Sequence, residues 1–229
     1  MSKSQNPEEF REERIRVLGE EFGLLYDSVY NGILMLFFNW QEYRELFGTK
    51  ESRIKILNEA APNFFYIVQR RLWESLLLDI CKLTDPAKSA GKKNASINSI
   101  NQFITDEEFK NRVSNRVSEL MKATSFCRDW RNRHISHSDF ELAVNKTAKQ
   151  LEEANSEKIE KVLDLFQEYI NLFQNHYFNI TTAFNLMDSR KGVLALLRVL
   201  DDGLESRKKR FERITSGTHT EDDFIFREL

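Results

Sequence analysis

The sequence is short of the residues that interrupt helices. Eight glycines and three prolines punctuate 229 residues. An all-β sandwich needs many more turn-formers, so this scarcity excludes that class and favours long helices. Cysteine is scarcer still. Cys81 and Cys127 both lie in apolar, helix-like contexts, which reads as reduced core side chains and not as a disulfide framework or a zinc site. The most apolar run, Ile33 to Trp40, covers eight residues and contains an Asn, far from the roughly 20 that span a bilayer. The opening residues MSKSQNPEEFREER are polar and acidic, unlike a secretory leader. The expectation is a cytoplasmic protein with no membrane partner. Charge nearly cancels, at a formal −2, so the whole-molecule field selects no partner class. Also missing are G-x-G-x-x-G, the P-loop, H-E-x-x-H, a paired C-x-x-C and G-x-S-x-G, so neither cofactor nor metal is expected.

What is present is helical periodicity. From Ser156 to Tyr177 the residues Ile159, Val162, Leu163, Phe166, Tyr169, Ile170, Phe173 and Tyr177 follow the i, i+3, i+4, i+7 rule. A second pattern runs from about Lys191 to Ile214, with Leu197, Leu200, Leu204, Phe211 and Ile214 on one stripe and Arg207, Lys208, Lys209 and Arg210 opposite. Pro62 suits the first turn of a helix, whose buried stripe would be Phe65, Val68, Leu72, Leu76, Ile80 and Leu83. That helix should stop near Thr84, because Asp85 precedes Pro86. The following TDPAKSAGKKNAS reads as an ordered loop carrying Lys88, Lys92 and Lys93. A short helical turn is expected at Ile97 to Ile104. Thr105 and Glu108 form a capping-box signature, starting a helix that would run from Asp106 through Arg131. Pro7 to Phe47 reads as one or two amphipathic helices, with Gly23 and Gly32 as candidate breaks. No strand run appears. The class predicted is all-α: a single bundle of roughly seven or eight helices. Residues 1–60 would supply N-terminal amphipathic helices packed on the bundle, 61–215 the helical core, and 216–229 a C-terminal tail that is a loose end or a partner-docking strip.

The stretch RNRHISHSD, Arg131 to Asp139, concentrates two of the four histidines beside two arginines. If the helix continues through His137, then Arg131, His134 and His137 lie on one arc of about 120°. That arc extends the apolar stripe of Leu120, Ala123, Phe126, Cys127 and Trp130. Two accounts fit. In one, Arg131 pairs with an acid on a neighbouring helix and the histidines are satisfied by backbone carbonyls. In the other, the stripe opens into a cleft or onto a partner subunit, and the cluster lines it. The second suits phosphate chemistry. A guanidinium offers a rigid fork of donors to phosphate oxygens, and an imidazole accepts and returns a proton near neutral pH. Together they suffice to cleave RNA without metal. The histidine would activate the ribose 2′-OH, the arginine would hold the phosphorane charge, and a 2′,3′-cyclic phosphate would result.

An all-α chain with Arg-Asn-(four residues)-His, here Arg131, Asn132 and His137, resembles the HEPN superfamily. RNRHISHSD is similar to the RN-K-x-IAH-x-D form of the AbiU-type abortive-infection branch. LWESLLLDICKLTDPAK, Leu72 to Lys88, is similar to that branch's SL-x-L-x-L-x-RL-x-DP-x-K segment. The resemblance covers roughly Pro62 to Phe173. It implies a HEPN-like helical bundle and a homodimer in which two motifs face each other. The activity it implies is metal-independent endoribonuclease action in phage defence or toxin-like RNA cleavage, with an antitoxin or defence partner. Arg131 and His137 would be catalytic and Asn132 would orient the pair. Read from the residues, an RNA grip would come from the basic side chains Lys122, Arg128 and Arg133 beside the motif, plus Lys88, Lys92 and Lys93 or the Arg207–Arg210 cluster, with His134 as a further phosphate contact. A HEPN-like dimerisation or RNA- and partner-binding module that cleaves nothing is the alternative. Some HEPN toxins carry His-x-Tyr, the tyrosine being modified by a partner; Asp139 stands there instead, so that control does not carry over.

Overall fold

The computed structural model describes residues 6–137, 139–145, 148–184 and 191–225. Its helices are α1 (Pro7–Leu18), α2 (Glu20–Phe47), α3 (Glu51–Ala60), α4 (Pro62–Leu83), α5 (Ile97–Ile100), α6 (Glu107–Ala123), α7 (Ser125–Trp130), α8 (Phe140–Val144), α9 (Ser156–Phe173) and α10 (Val193–Ser216). The chain is all-α, as its periodicity predicts. The ten helices among the described residues exceed the seven or eight expected because α5, α7 and α8 are only four to six residues long. By packing, the chain forms two compact units: Met1–Asn39 with Trp73–Met187, and Trp40–Leu72 with Asp188–Leu229.

The first unit is built on α9, where Ile159, Val162, Leu163, Phe166, Tyr169, Ile170 and Phe173 are all buried, the stripe read from the sequence. Helix α6 packs along it through Phe109, Val113, Val117 and Leu120. Phe109 sets its ring edge-on to Phe173 at 5.3 Å and stacks on His176 at 3.9 Å. The buried face of α2 adds Phe22, Tyr26, Val29, Ile33 and Leu36, and α4 adds Leu76, Leu77, Ile80, Cys81 and Leu83. Both cysteines are free and buried, as expected. Tyr177 follows α9 in a π-turn, Gln174–Phe178.

Several boundaries differ from the sequence reading. The N-terminal break falls at Gly19, whose φ of 84° is a left-handed value. Gly23 and Gly32 sit inside α2. They mark close approach instead: a Cβ at Gly23 would lie 2.6 Å from the Ile15 Cα, and one at Gly32 would lie 2.9 Å from Leu83 Cδ2. Helix α6 is capped by Asp106, whose carboxylate accepts from Phe109 N at 3.0 Å, one residue beyond the expected Thr105 signature. The loop after α4 contains a two-residue ladder, β1 (Lys88–Ser89) with β2 (Lys92–Lys93), pairing Lys88 with Lys93 and Ser89 with Lys92. Ala90 and Gly91 turn it with φ of 47° and 80°, the positive pair that a tight hairpin requires.

The second unit buries Leu46, Leu57, Phe65, Val193 and Leu197. Glu42 accepts from Val193 N at 2.7 Å, placing a carboxylate at the start of α10, where helix polarity favours it. The stripe predicted along α10 buries only at its first end. Leu197 is 6% exposed and Phe211 66%. Helix α10 packs on α3, and ten residues, about 15 Å of axis, cannot cover twenty-four. The segment after α10 is tied back. Asp223 accepts from Arg213 Nε at 3.1 Å and again from its Nη2, and from Thr220 N at 3.1 Å. These contacts, Arg213 foremost, hold the Asp223 carboxyl at about 2, below its usual 3.8. Residues 226–229 of the expected tail lie outside the described residues.

Two outcomes follow. Gly23→Ala should lower stability by about 1–3 kcal/mol, because the added methyl meets helix backbone. Gly203→Ala, where nothing lies within 4 Å, should raise stability by about 0.5–1 kcal/mol; urea denaturation of both reads the opposite signs. A folded carboxyl held below its unfolded value stabilises above the unfolded value and loses that contribution on acidification. Protection of the Thr220–Phe224 amides from hydrogen exchange should therefore persist above pH about 4 and fall as pH drops towards about 2. In Arg213→Ala it should already be low at neutral pH.

Candidate functional site

The end of α4 and the end of α7 meet through hydrogen bonds. Thr84, fully buried, returns its hydroxyl to Ile80 O at 2.7 Å. Its own carbonyl and hydroxyl accept from Arg128 Nη2, the latter at 2.9 Å, and Asn98 Nδ2 also donates to that carbonyl at 3.0 Å. Asp85 is fixed in the same way: its carbonyl accepts from Ser96 Oγ at 2.7 Å and from Asn98 Nδ2 at 3.0 Å. The Asp85 carboxylate then accepts from Arg131 Nη1 at 2.8 Å. Arg131 Nε donates to Asn132 Oδ1 at 3.2 Å. Among the described residues Nη2 of Arg131 carries no hydrogen bond.

The helix expected to run from Asp106 through Arg131, and supposed to continue through His137, is not continuous. It breaks at Thr124, whose hydroxyl bonds back to Leu120 O at 2.8 Å and accepts from Arg128 Nη1 at 3.1 Å, a local competition that bends helices. After α7 the backbone widens into a π-turn, Arg131–Ile135, in which Ser136 N donates to Arg131 O at 2.9 Å. Such turns recur at functional sites. The common arc drawn from α-helical geometry for Arg131, His134 and His137 therefore does not apply. His137 lies in a bend past the end of the turn and is exposed, as is Asn132; Arg131 is half-buried.

The other motif residues are engaged within the unit. His134 Nε2 lies 3.8 Å from the Oε1 of buried Glu74, and its ring stands edge-on to Trp130 at 5.5 Å. Arg133 reaches Asp139 at 3.2 Å, Asp129 at 3.5 Å and the carbonyls of Lys149 and Gln150 at 2.6 and 3.5 Å. Asp129 in turn accepts from Glu152 N at 2.8 Å, and Trp130 Nε1 donates to Glu152 O at 2.7 Å. Asp139 caps α8 through Leu142 N at 3.0 Å. That amide first, then Arg133, lowers the Asp139 carboxyl below its ordinary value. Ser138 lies outside the described residues.

Burial pushes the Cys81 thiol up, while Arg131 and Arg128 nearby draw it down; burial, then Cys81, raises Cys127. Lys88, Lys92 and Lys93 are exposed on the hairpin that begins three residues after Asp85, and Lys93 Nζ lies 3.5 Å from Glu21 Oε1. Lys122 is exposed, whereas Arg128 is committed to Thr84 and Thr124. In the second unit Arg207 donates to Glu59 O at 3.2 Å and Lys209 pairs with Glu205 at 3.5 Å. Among the described residues no group of three or more His, Cys, Asp or Glu side chains is placed to hold a metal ion, and no helix is long and apolar enough to cross a membrane.

Asp85 and Glu74 are the residues that motif reading missed. Their signal was available: both acids belong to the Leu72–Lys88 segment that accompanies the Arg-Asn motif. Two separated segments that resemble one branch also touch in space, through Asp85 and Arg131. The sequence model of the AbiU2 family, a HEPN family, matches residues 19–195. The chain belongs to that family. The match extends beyond Pro62–Phe173 on both sides, taking in α2 and the start of α10, while α1 precedes it. No curated protein and no solved structure matches the chain significantly.

If Arg133 staples the segment after the motif, Arg133→Ala should expose residues 139–152 to limited proteolysis. Resistance equal to wild type would contradict that role. A contact with RNA phosphate would instead appear as a salt dependence of RNA binding that falls by about one phosphate's worth in the variant.

Proposed function

We propose that the protein is a metal-independent endoribonuclease of the HEPN type, acting in the cytoplasm in phage defence or toxin-like RNA cleavage, with two copies of the motif facing each other across a homodimer cleft. The supporting observation is the state of Arg131. Its guanidinium is fixed on two edges, its side chain is 29% exposed, and its Nη2 has no partner among the described residues. Exposed Asn132 and His137 are its neighbours in the chain. A half-occupied guanidinium facing water is suited to a phosphate oxygen and to the charge that develops on it.

In this reading His137 takes the proton of a ribose 2′-OH as that oxygen attacks the adjacent phosphorus. Arg131 Nη2 stabilises the phosphorane charge, and the 5′-oxygen departs with the proton that His137 returns, leaving a 2′,3′-cyclic phosphate. Asn132 keeps the Arg131 Nε edge occupied. Lys88, Lys92 and Lys93 attract the RNA backbone on the hairpin beyond Asp85, so association weakens as salt rises. Arg133 and His134 act one step back, by holding the segment after the motif and by facing Glu74. An antitoxin or defence partner would control access to the cleft.

Wild type, Arg131→Ala and His137→Ala should be incubated with mixed cellular RNA in EDTA. Cleavage by wild type alone, with cyclic phosphate ends and losses of at least about 100-fold in each variant, is expected. Equal background in all three would overturn the proposal and favour a HEPN-like dimerisation or binding module.

A further inference from the structure

We infer that Asp85 is the positioning residue of Arg131, fixing the guanidinium so that Nη2 points away from the protein towards the scissile phosphate. This inference rests on the nuclease reading above for the identity of the ligand, but its geometry stands apart from it. A carboxylate beside a substrate-binding arginine has two opposed uses. A mobile one competes with phosphate and must leave; an anchored one orients the arginine and stays.

Asp85 is anchored. Its carbonyl is held by Ser96 and Asn98, its N–H reaches Lys82 O at 3.4 Å, and the residue before it is clamped by Arg128. Pro86 after it fixes the backbone further. The carboxylate itself is one-quarter exposed. It takes Nη1 only, through a single oxygen, so the pairing leaves the outer edge of the fork open, where a bidentate pair would fill it.

Two consequences follow. First, the arginine does not have to be ordered when RNA arrives, so the cost of gripping the phosphate falls. Second, the acid subtracts one positive charge from the site, a loss in affinity that the three lysines of the following hairpin counter. Asp85 therefore trades non-specific attraction for orientation. It touches neither substrate nor reacting atoms.

The test uses the full-length protein and a short fluorescent single-stranded RNA, with thermal melts confirming that each variant folds. Asp85→Ala should lower kcat by about 10- to 100-fold, the scale of a misplaced catalytic group, without raising KM. Asp85→Asn, which keeps an acceptor oxygen, should restore most of kcat. In an Arg131→Ala background, Asp85→Ala should cost nothing further, and the two substitutions should also be non-additive in RNA affinity. A rise in kcat in Asp85→Ala, or equal losses in both backgrounds, would overturn the inference. If wild type cleaves nothing while the affinities remain coupled, the nuclease reading fails and the positioning role survives. If cleavage is intact and no coupling is found, the reverse holds.

Discussion

The contact between Asp85 and Arg131 organises everything around it. It joins Asp85, two residues past the end of α4, to the residue where α7 gives way to a π-turn, and it does so beside a second clamp, Arg128 on Thr84. Neither arginine sits in a dry interior without a counter-partner, which would be prohibitively costly. Each is half-buried and directed at groups that are themselves fixed by Asn98 and Ser96. The loop with Pro, Gly and Ser is thereby tied at both ends, through Asp85 at its start and Ser96 and Asn98 at its close. The same loop carries the Lys88–Lys93 hairpin, so the three lysines and the acid that holds Arg131 belong to one connection.

Much of this was legible in the sequence. The predicted stripe is buried from Ile159 to Phe173, and only its last member, half-buried Tyr177, falls beyond α9 in the π-turn. The stop of α4 near Thr84 follows from Asp85-Pro86, since proline restricts the residue before it. The motif and its accompanying segment were both visible, and the family match covers them.

What was not legible has physical causes. Glycine alone does not reveal whether it breaks a helix or lets another backbone approach; Gly23 and Gly32 do the second, and the break belongs to Gly19. Periodicity assumes 3.6 residues per turn, so it could not foresee a hydroxyl at Thr124 bonding back into α6 or the widened turn at Arg131. The arc shared by Arg131, His134 and His137 dissolves for that reason. Nor could it tell that α10 outruns α3, leaving Phe211 in water. The partners of Arg131 and His134, Asp85 and Glu74, come from a segment 46 and 60 residues away. Only the pairing of two family-like segments hinted at them.

Set against phosphate chemistry, the site has a simple division of labour. Arg133 is occupied by the chain that follows the motif and His134 faces Glu74, whereas Asn132 and His137 are exposed and half-buried Arg131 keeps Nη2 without a partner among the described residues. Under the proposed function, the open edge of Arg131 is where RNA is held while Asp85 keeps the other. The most direct measurement is a crystal structure of the His137→Ala protein with a short RNA bound. A phosphate oxygen is expected within hydrogen-bonding distance of Arg131 Nη2, with Asp85 still on Nη1. RNA seated elsewhere, or Asp85 displaced from Arg131 by the phosphate, would contradict it.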